Sequence, residues 1–308
     1  MTSVKNGTGR GRLRKKMAFY WAILAFPILQ FIIFYVIVNI NSFVLAFESY
    51  SVKDGYTFVG FKNFADVLHN FRTMTEMQIA LRNSCVLLLL SVLVGCTLSV
   101  VFSYYIYKKG FLHRFFKIIL FLPFIISSIT MVCIYRYFIE NAIPAIFEQF
   151  FGREIEGLLT NLDTKLGTIM FYTIWTGFGI QTLIYGSAMS GISDSVIEAA
   201  RLDGVNALQE FVHIIVPMIY PTIVVFVVSS VTGMFVHQMN VFNFYGINID
   251  DYNIITVGYY IYRQISLPET TLAEYPYYAA LGLIMTFITI PVTLGLKWGM
   301  GKFGPATD

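Results

Sequence analysis

The sequence predicts an all-α membrane protein with six transmembrane helices. Three observations predict it. Hydrophobic residues make up 56% of the 308 positions and charged residues only 13%, about half the roughly 25% charge of a soluble chain. The mean hydropathy is +0.67. The apolar residues also lie in long continuous runs, unlike the alternating pattern of barrel strands. No water-soluble globule of this length covers so much apolar surface with so few charges. A cytosolic enzyme, a secreted disulfide scaffold and a disordered chain are thereby excluded.

Six charge-free runs give the elements in order: 17–47, 83–107, 118–135, 166–193, 214–249 and 275–296. Each supplies the roughly 20 apolar residues that one helical crossing requires. The first and fifth exceed one crossing, so their ends must emerge into loops or lie at the interface. Arg10, Arg12, Arg14, Lys15 and Lys16 precede the first run as basic residues precede a secretory signal. The run is too long for a signal, and no small-residue cleavage pattern follows it, so it is predicted to be a retained span.

Lys and Arg placement sets the orientation. The N-terminal segment carries Lys5, Arg10, Arg12, Arg14, Lys15 and Lys16, and the loop between spans two and three carries Lys108, Lys109, Arg114 and Lys117. The loop between spans three and four is acidic: Glu140, Glu148, Glu154, Glu156 and Asp163 stand against Arg153 and Lys165. Both termini are therefore predicted to be cytoplasmic, and so is the loop from Asp194 to His213. Lys53, Lys62, Arg72 and Arg82 in the first outer loop reduce the contrast.

The composition offers little chemistry. Cys85, Cys96 and Cys133 all fall in apolar stretches, without the paired spacing of a metal site, and are read as buried thiols. His69, His113, His213 and His237 are scattered over four segments, with no zinc-binding pair, so neither a metal nor a catalytic residue is predicted. There is no glycine-rich loop ending in Gly-Lys-Ser or Gly-Lys-Thr, so the chain is not expected to bind ATP that way. The Gly-Thr-Gly-Arg-Gly stretch near the start reads as a flexible basic segment. The spans hold almost none of the mid-membrane ionisable groups that ion-coupled transport uses. Arg136 and Glu140 end the third span four residues apart, as a surface pair or as a gate or substrate contact.

The most informative stretch runs from Ile192 to Pro217. Ser193 or Ser195 is placed to cap a short helix continuing through Asp203, and Gly204 suits the left-handed residue that ends one. Asn206 followed by Gln209 starts a second helix with a capping box. Two short helices bent at Gly204 are predicted. Ala199 and Ala200 leave a low surface for another protein to approach, ringed by the charges of Glu198, Arg201 and Asp203.

The spacing of Glu198, Ala199, Ala200, Gly204, Ile214 and Pro217 resembles the Glu-Ala-Ala loop motif of permeases of binding-protein-dependent ABC importers, with Val216 where leucine is usual. Other fragments resemble the sugar branch, which includes the maltose-type and glycerol-phosphate-type permeases. They are 59–64 (Val-Gly-Phe-Lys-Asn-Phe), 80–84 (Ala-Leu-Arg-Asn-Ser), 121–123 (Phe-Leu-Pro), and Trp175 with Gly177. The likeness begins near residue 17 and covers nearly the whole chain. It departs at Gly246, Ile247 and Asn248, where relatives often carry Gly-Gly-Pro.

The resemblance implies a type I ABC importer permease fold. Its parts would be a cytoplasmic tail at 1–16, a six-helix permease domain at 17–299 with a coupling loop at 193–213, and a cytoplasmic tail at 300–308. It implies partners too: a second, non-identical permease, two ATPase subunits that bind the ATP, and an extracytoplasmic solute-binding protein. The chain itself would be no enzyme. Glu198, Ala199, Ala200, Arg201, Asp203 and Gly204 would form the ATPase-docking helix, and a sugar or oligosaccharide would be the cargo, in a bacterial or archaeal plasma membrane. In span five, Gly233, His237, Asn240 and Phe244 recur at helical spacing and, with Asn243, are candidate solute contacts or helix-bridging groups. Tyr135 and Trp175 are weaker candidates. An ion-coupled secondary transporter, a permease for another solute and a membrane scaffold are the alternatives.

Overall fold

The computed structural model of the chain describes residues 8–249 and 251–305, with side chains from Lys16 onward. Lys5 and the side chains of Arg10, Arg12, Arg14 and Lys15 lie outside the described residues. The chain forms two compact units. One takes the residues up to Val67 together with Thr271–Leu283; the other takes Leu68–Thr270 and the residues from Ile284 on.

In the first unit the opening helix begins at Thr8, inside the stretch read as a flexible tail, and runs to Phe31. A wider π-helical segment, Ile32–Ile37, carries it into Val38–Leu45. The apolar side chains of the Lys16–Leu45 span are exposed all round, as for a helix solvated by lipid. A small hairpin that the hydropathy pattern does not reveal follows: β1, Glu48–Ser51, pairs antiparallel with β2, Gly55–Phe58. Asn63 fastens its base, donating from Nδ2 to the carbonyls of Ala46 (2.9 Å) and Glu48 (2.7 Å). The Phe47 ring packs against Phe58, Phe61 and Phe64 beside it.

In the second unit the Thr75–Tyr107 span packs along the Leu162–Ser190 helix. Leu162–Ser190 also meets the His113–Ile125 helix, where Gly179 lies directly against the Leu120 carbonyl and leaves no room for a side chain. A core of Cys96, Tyr185, Met189, Ile192, Ile197, Ile215 and Ile219 fills one end of these helices. Of the three cysteines only Cys96 is buried, 3.1 Å from the Tyr185 hydroxyl. Cys85 is half-buried and Cys133 exposed, contrary to the expectation of three buried thiols.

Two predicted spans are not single helices. The third, 118–135, breaks after Ile125: Ile126 is extended, Ser127 caps the next helix by accepting from the Thr130 N–H, and the two parts meet at 113°. Pro123, lacking an N–H, weakens the last turn before the break. The fifth bends by 68° between Met218 and Tyr220, beside Pro217 and Pro221, and its helix stops at Thr232.

Among the described residues, Lys16–Leu45, Thr75–Tyr107 and Tyr275–Phe303 are long and apolar enough to cross a membrane, and five crossings result if each bent pair is one span. The Leu162–Ser190 helix has 29 residues, about 43 Å at 1.5 Å per residue. Its threonines, glycines and Gln181 make it less apolar than the others.

Candidate functional site

The bend at Gly204 is built as its residues dictate. The first helix is Asp194–Leu202. Beyond it the Val205 N–H bonds back to the Ala200 carbonyl and the Gly204 N–H to the Arg201 carbonyl, both at 3.1 Å. This is the paired closure of a Schellman turn, with Gly204 in the left-handed conformation at φ +75°. Asn206 then caps Ala207–Glu210: its side chain accepts from the Gln209 N–H, and the Gln209 side chain accepts from the Asn206 N–H. Ser193 stands at the start of the first helix without a side-chain cap, its hydroxyl paired instead with that of Ser195 at 2.8 Å.

The outer face of this elbow carries Glu198, Ala199, Arg201, Leu202, Asp203 and Gly204, all exposed. Leu202 is 89% exposed, a large apolar side chain at the apex. Ala200 corrects the sequence reading. It is buried, with Ile197, on the opposite face, because residues three apart on a helix share a side. Only Ala199 contributes to the low outer surface.

The elbow is held by residues that motif spacing missed. Glu210 is buried, and Lys108 Nζ reaches both of its carboxylate oxygens at 2.9 Å. The Tyr104 hydroxyl donates to the Ala207 carbonyl at 2.9 Å. The second short helix is thereby tied to the end of the Thr75–Tyr107 span.

A cavity of about 270 Å³ opens between the Thr75–Tyr107 span, the Leu162–Ser190 helix and the end of the Tyr220–Thr232 helix. Apolar side chains and the polar groups of Ser84, Ser91, Thr173, Gln181, Ser229 and His237 line it, together with Gly177 and Gly233. The π-helical segment Ser91–Cys96 brings Ser91 and Gly95 to its wall. The Thr173 hydroxyl oxygen is buried there without a hydrogen-bond partner.

Of the five residues predicted to contact solute, Gly233 and His237 reach this cavity and the other three do not. The shared helical face fails because the helix ends at Thr232. Met239 and Asn240 are left-handed, and a separate helix, Val241–Tyr245, follows. Asn243 donates to the Asn240 side chain (3.1 Å) and to Ser128 (3.3 Å). Phe244 is buried in an aromatic cluster with Tyr135 and Tyr172. Trp175 packs on that cluster, and the Tyr135 hydroxyl donates to the Thr168 carbonyl.

Arg136 and Glu140 do not pair with each other. The chain between them enters a π-helical turn, Phe138–Ala142, which disturbs the four-residue register. Arg136 donates to the Phe244 carbonyl at 3.2 Å, and Glu140 accepts from the Leu159 and Thr160 N–H groups.

The segment after the cavity is fixed from the start of the Thr75–Tyr107 span. Asn83, fully buried, donates to the carbonyls of Asn253 (2.7 Å) and Ile255 (2.9 Å), and Ser84 accepts from the Val257 N–H at 3.0 Å. Nearby, Lys165 pairs with Asp251 at 2.9 Å. Burial alone would raise the Asp251 carboxyl, but hydrogen bonds from Lys165 and from the Asn253 N–H outweigh it and hold the group below the usual carboxylate range. Among the described residues no three His, Cys, Asp or Glu side chains gather as a metal site.

No family model matches the chain. The probable ABC transporter permease YurN of Bacillus subtilis is 29% identical over 219 residues, 68% of this chain and 73% of YurN. The permease AraP of an arabinooligosaccharide transport system in the same organism is 24% identical over 284 residues, 91% and 87% of the two chains. Two solved structures share the fold. One is a bacterial ABC transporter that imports alginate, with TM-score 0.75, 21% identity and coverage of 95% of this chain and 99% of that one. The other is a bacterial alginate ABC transporter bound to a periplasmic protein carrying an alginate pentasaccharide, with TM-score 0.73, 22% identity and coverage of 92% and 93%. The homologues of this chain are ABC transporter permeases, among them permeases named for sugar and oligosaccharide uptake, and its fold is that of an ABC importer permease.

Proposed function

We propose that this chain is the membrane-embedded permease subunit of an ATP-driven, binding-protein-dependent importer for a sugar or oligosaccharide. The observation that carries the proposal is the exposed elbow at Gly204, closed by its own backbone and clamped through Glu210 to the Thr75–Tyr107 span. An elbow built this way transmits a push from outside the bundle to a membrane helix.

In this reading the Leu162–Ser190 helix and the two bent pairs complete six crossings, with both termini and the elbow on the cytoplasmic side. Glu198, Ala199, Arg201, Asp203 and Gly204 face a groove on an ATPase subunit, with Leu202 as the apolar contact at the tip and Ala200 as the packing residue beneath. A second, non-identical permease supplies the other elbow, so that two elbows face two ATPase subunits. ATP binds those subunits and not this chain. Closure of the ATPase pair draws the elbows together, and hydrolysis releases them. A switch of the bundle from 1:99 to 99:1 requires roughly 5.5 kcal/mol of differential binding, which the nucleotide supplies through the docked subunits. The cavity beside Gly177 and His237, which sets five hydroxyls among apolar side chains, suits a sugar in an otherwise apolar passage. A solute-binding protein outside the cell delivers it.

Co-purification and vesicle uptake test the proposal together. An ATPase subunit is expected to accompany the chain, and uptake in proteoliposomes is expected to require ATP. Uptake driven by an ion gradient without ATP would overturn it in favour of a secondary transporter. Glu198→Lys is expected to lower the recovered ATPase ratio; an unchanged ratio excludes an ion-pair role for Glu198.

A further inference from the structure

A second cavity, of about 530 Å³, lies farther along the Leu162–Ser190 helix than the polar one, beside the end of the Thr75–Tyr107 span. Four basic side chains line it, Lys109, His113, Arg114 and Lys117, together with Tyr107 and with Ser187 and Ser190 of the Leu162–Ser190 helix. No carboxylate is among its lining residues. Among the described residues the ion pairs are Lys108 with Glu210 and Lys165 with Asp251, so Lys109, Arg114 and Lys117 take part in none.

Orientation in a membrane requires basic residues on one side of the bilayer. It does not require them to converge on one hollow that lacks a counter-charge. Arg114 and Lys117 are three apart on the His113–Ile125 helix, a like-charge spacing that weakens an isolated helix. The loop that presents them is held in an uncommon backbone: Lys109 and Leu112 are both left-handed, at φ 52° and 57°. For a leucine that conformation costs free energy and persists only where the surroundings impose it. The Tyr105 hydroxyl, donating to the Phe111 carbonyl, is one such constraint.

Exposed apolar side chains alternate with these basic residues along the same segment. Phe111 is 83% exposed, and Phe115 and Ile118 are exposed with it. A basic hollow whose charged residues are interleaved in sequence with exposed phenylalanine and isoleucine matches a molecule with an anionic head and hydrocarbon tails. A free anion would leave those apolar side chains unused.

We infer that this hollow is a binding site for the phosphate headgroup of an anionic phospholipid, with the acyl chains lying along Phe115 and Ile118. The guanidinium of Arg114 and the ammonium groups of Lys109 and Lys117 neutralise the phosphate, and the Ser187 hydroxyl is placed to donate to a headgroup oxygen. The inference rests on the chain being embedded in a bilayer. It does not depend on which solute is carried.

Native mass spectrometry of the full chain in detergent, titrated with phosphatidylglycerol, phosphatidylcholine or inorganic phosphate, tests it. The wild type is expected to retain phosphatidylglycerol about tenfold more strongly than phosphatidylcholine, and millimolar phosphate is expected not to displace it. R114Q/K117Q is expected to lose that preference, while R114K/K117R keeps it. Lys53→Gln, in the hairpin loop, removes a charge elsewhere and is expected to change nothing. Equal retention of both lipids by the wild type overturns the site, and so does an unchanged preference in R114Q/K117Q. Displacement by inorganic phosphate overturns the lipid as its occupant. Failure of the chain to enter membranes when expressed would instead strike the permease reading, and the two failures are distinguishable by membrane fractionation before the titration.

Discussion

Lys108 and Glu210 stand 102 residues apart and meet with Lys108 Nζ 2.9 Å from each carboxylate oxygen of Glu210. The Glu210 side chain is 4% exposed and that of Lys108 28%, so removing the lysine strands a buried carboxylate. Lys108→Met is expected to destabilise the chain by about 2 kcal/mol, below the 3–5 kcal/mol of a fully buried pair because Lys108 keeps some water. Glu210→Gln is expected to cost less, since its amide still accepts from Lys108 and Tyr104. The double variant is expected to recover part of the Lys108→Met loss. Thermal unfolding of the purified proteins in detergent measures all three. Equal losses for the two single variants, adding in the double, would mean that the contact contributes no coupling.

The elbow makes a sharper demand on Gly204. A side chain in the left-handed region costs roughly 1–2 kcal/mol, more when it is β-branched, and Asn tolerates that region best after glycine. Gly204→Val is expected to leave the chain in the membrane and to abolish ATP-driven uptake, and Gly204→Asn to retain most of it. No Cβ clash stands in the way of either substitution, so the effect is read as backbone conformation alone. Normal uptake by Gly204→Val would refute the geometry.

The contrast between those two sites marks what a sequence discloses. Gly204, Asn206 and Gln209 act within a few residues of one another, and their turn, cap and bend were all legible from spacing. So were the apolar stretches that became Lys16–Leu45, Thr75–Tyr107 and Tyr275–Phe303. Lys108 and Glu210 carry no local signal, because each is an ordinary charged residue until the fold joins them. The single helical face read for Gly233, His237, Asn240 and Phe244 failed for a related reason. A 4, 3 and 4 spacing implies one face only while the helix lasts, and this helix ends at Thr232, ahead of all four. Hydropathy likewise cannot see a 113° bend, since Ile126 and Ser127 interrupt the helix without lowering apolarity much.

Asp251 gives the chain a pH dependence of known sign. Its folded carboxyl titrates below the usual range because Lys165 and the Asn253 N–H hold the charged form. The stabilisation is therefore fully present above the unfolded pKa, near 3.9, and is lost as pH falls through the lower folded value. Asp251→Asn is expected to lower the neutral-pH melting temperature by about 1–2 °C, as suits a partly exposed pair. The difference from wild type is expected to close below about pH 4. Melting curves at pH 7, 5 and 3 check both; a gap that widens on acidification would reverse the sign.

Gly177 and Gly179 lie two residues apart on one helix and are expected to respond in opposite ways. Gly179 abuts the Leu120 carbonyl, whereas a Cβ on Gly177 meets nothing, and Gly177 faces the polar cavity. Gly179→Ala must push the His113–Ile125 helix away and is expected to destabilise by about 1–3 kcal/mol, the usual range for overpacking. Gly177→Ala is expected to leave stability within about 0.5 kcal/mol. Gly177→Leu extends a side chain into the cavity and is expected to block uptake while the melting temperature and ATPase co-purification stay at wild-type values. Full transport by Gly177→Leu would remove this cavity from the solute pathway and leave the elbow unaffected.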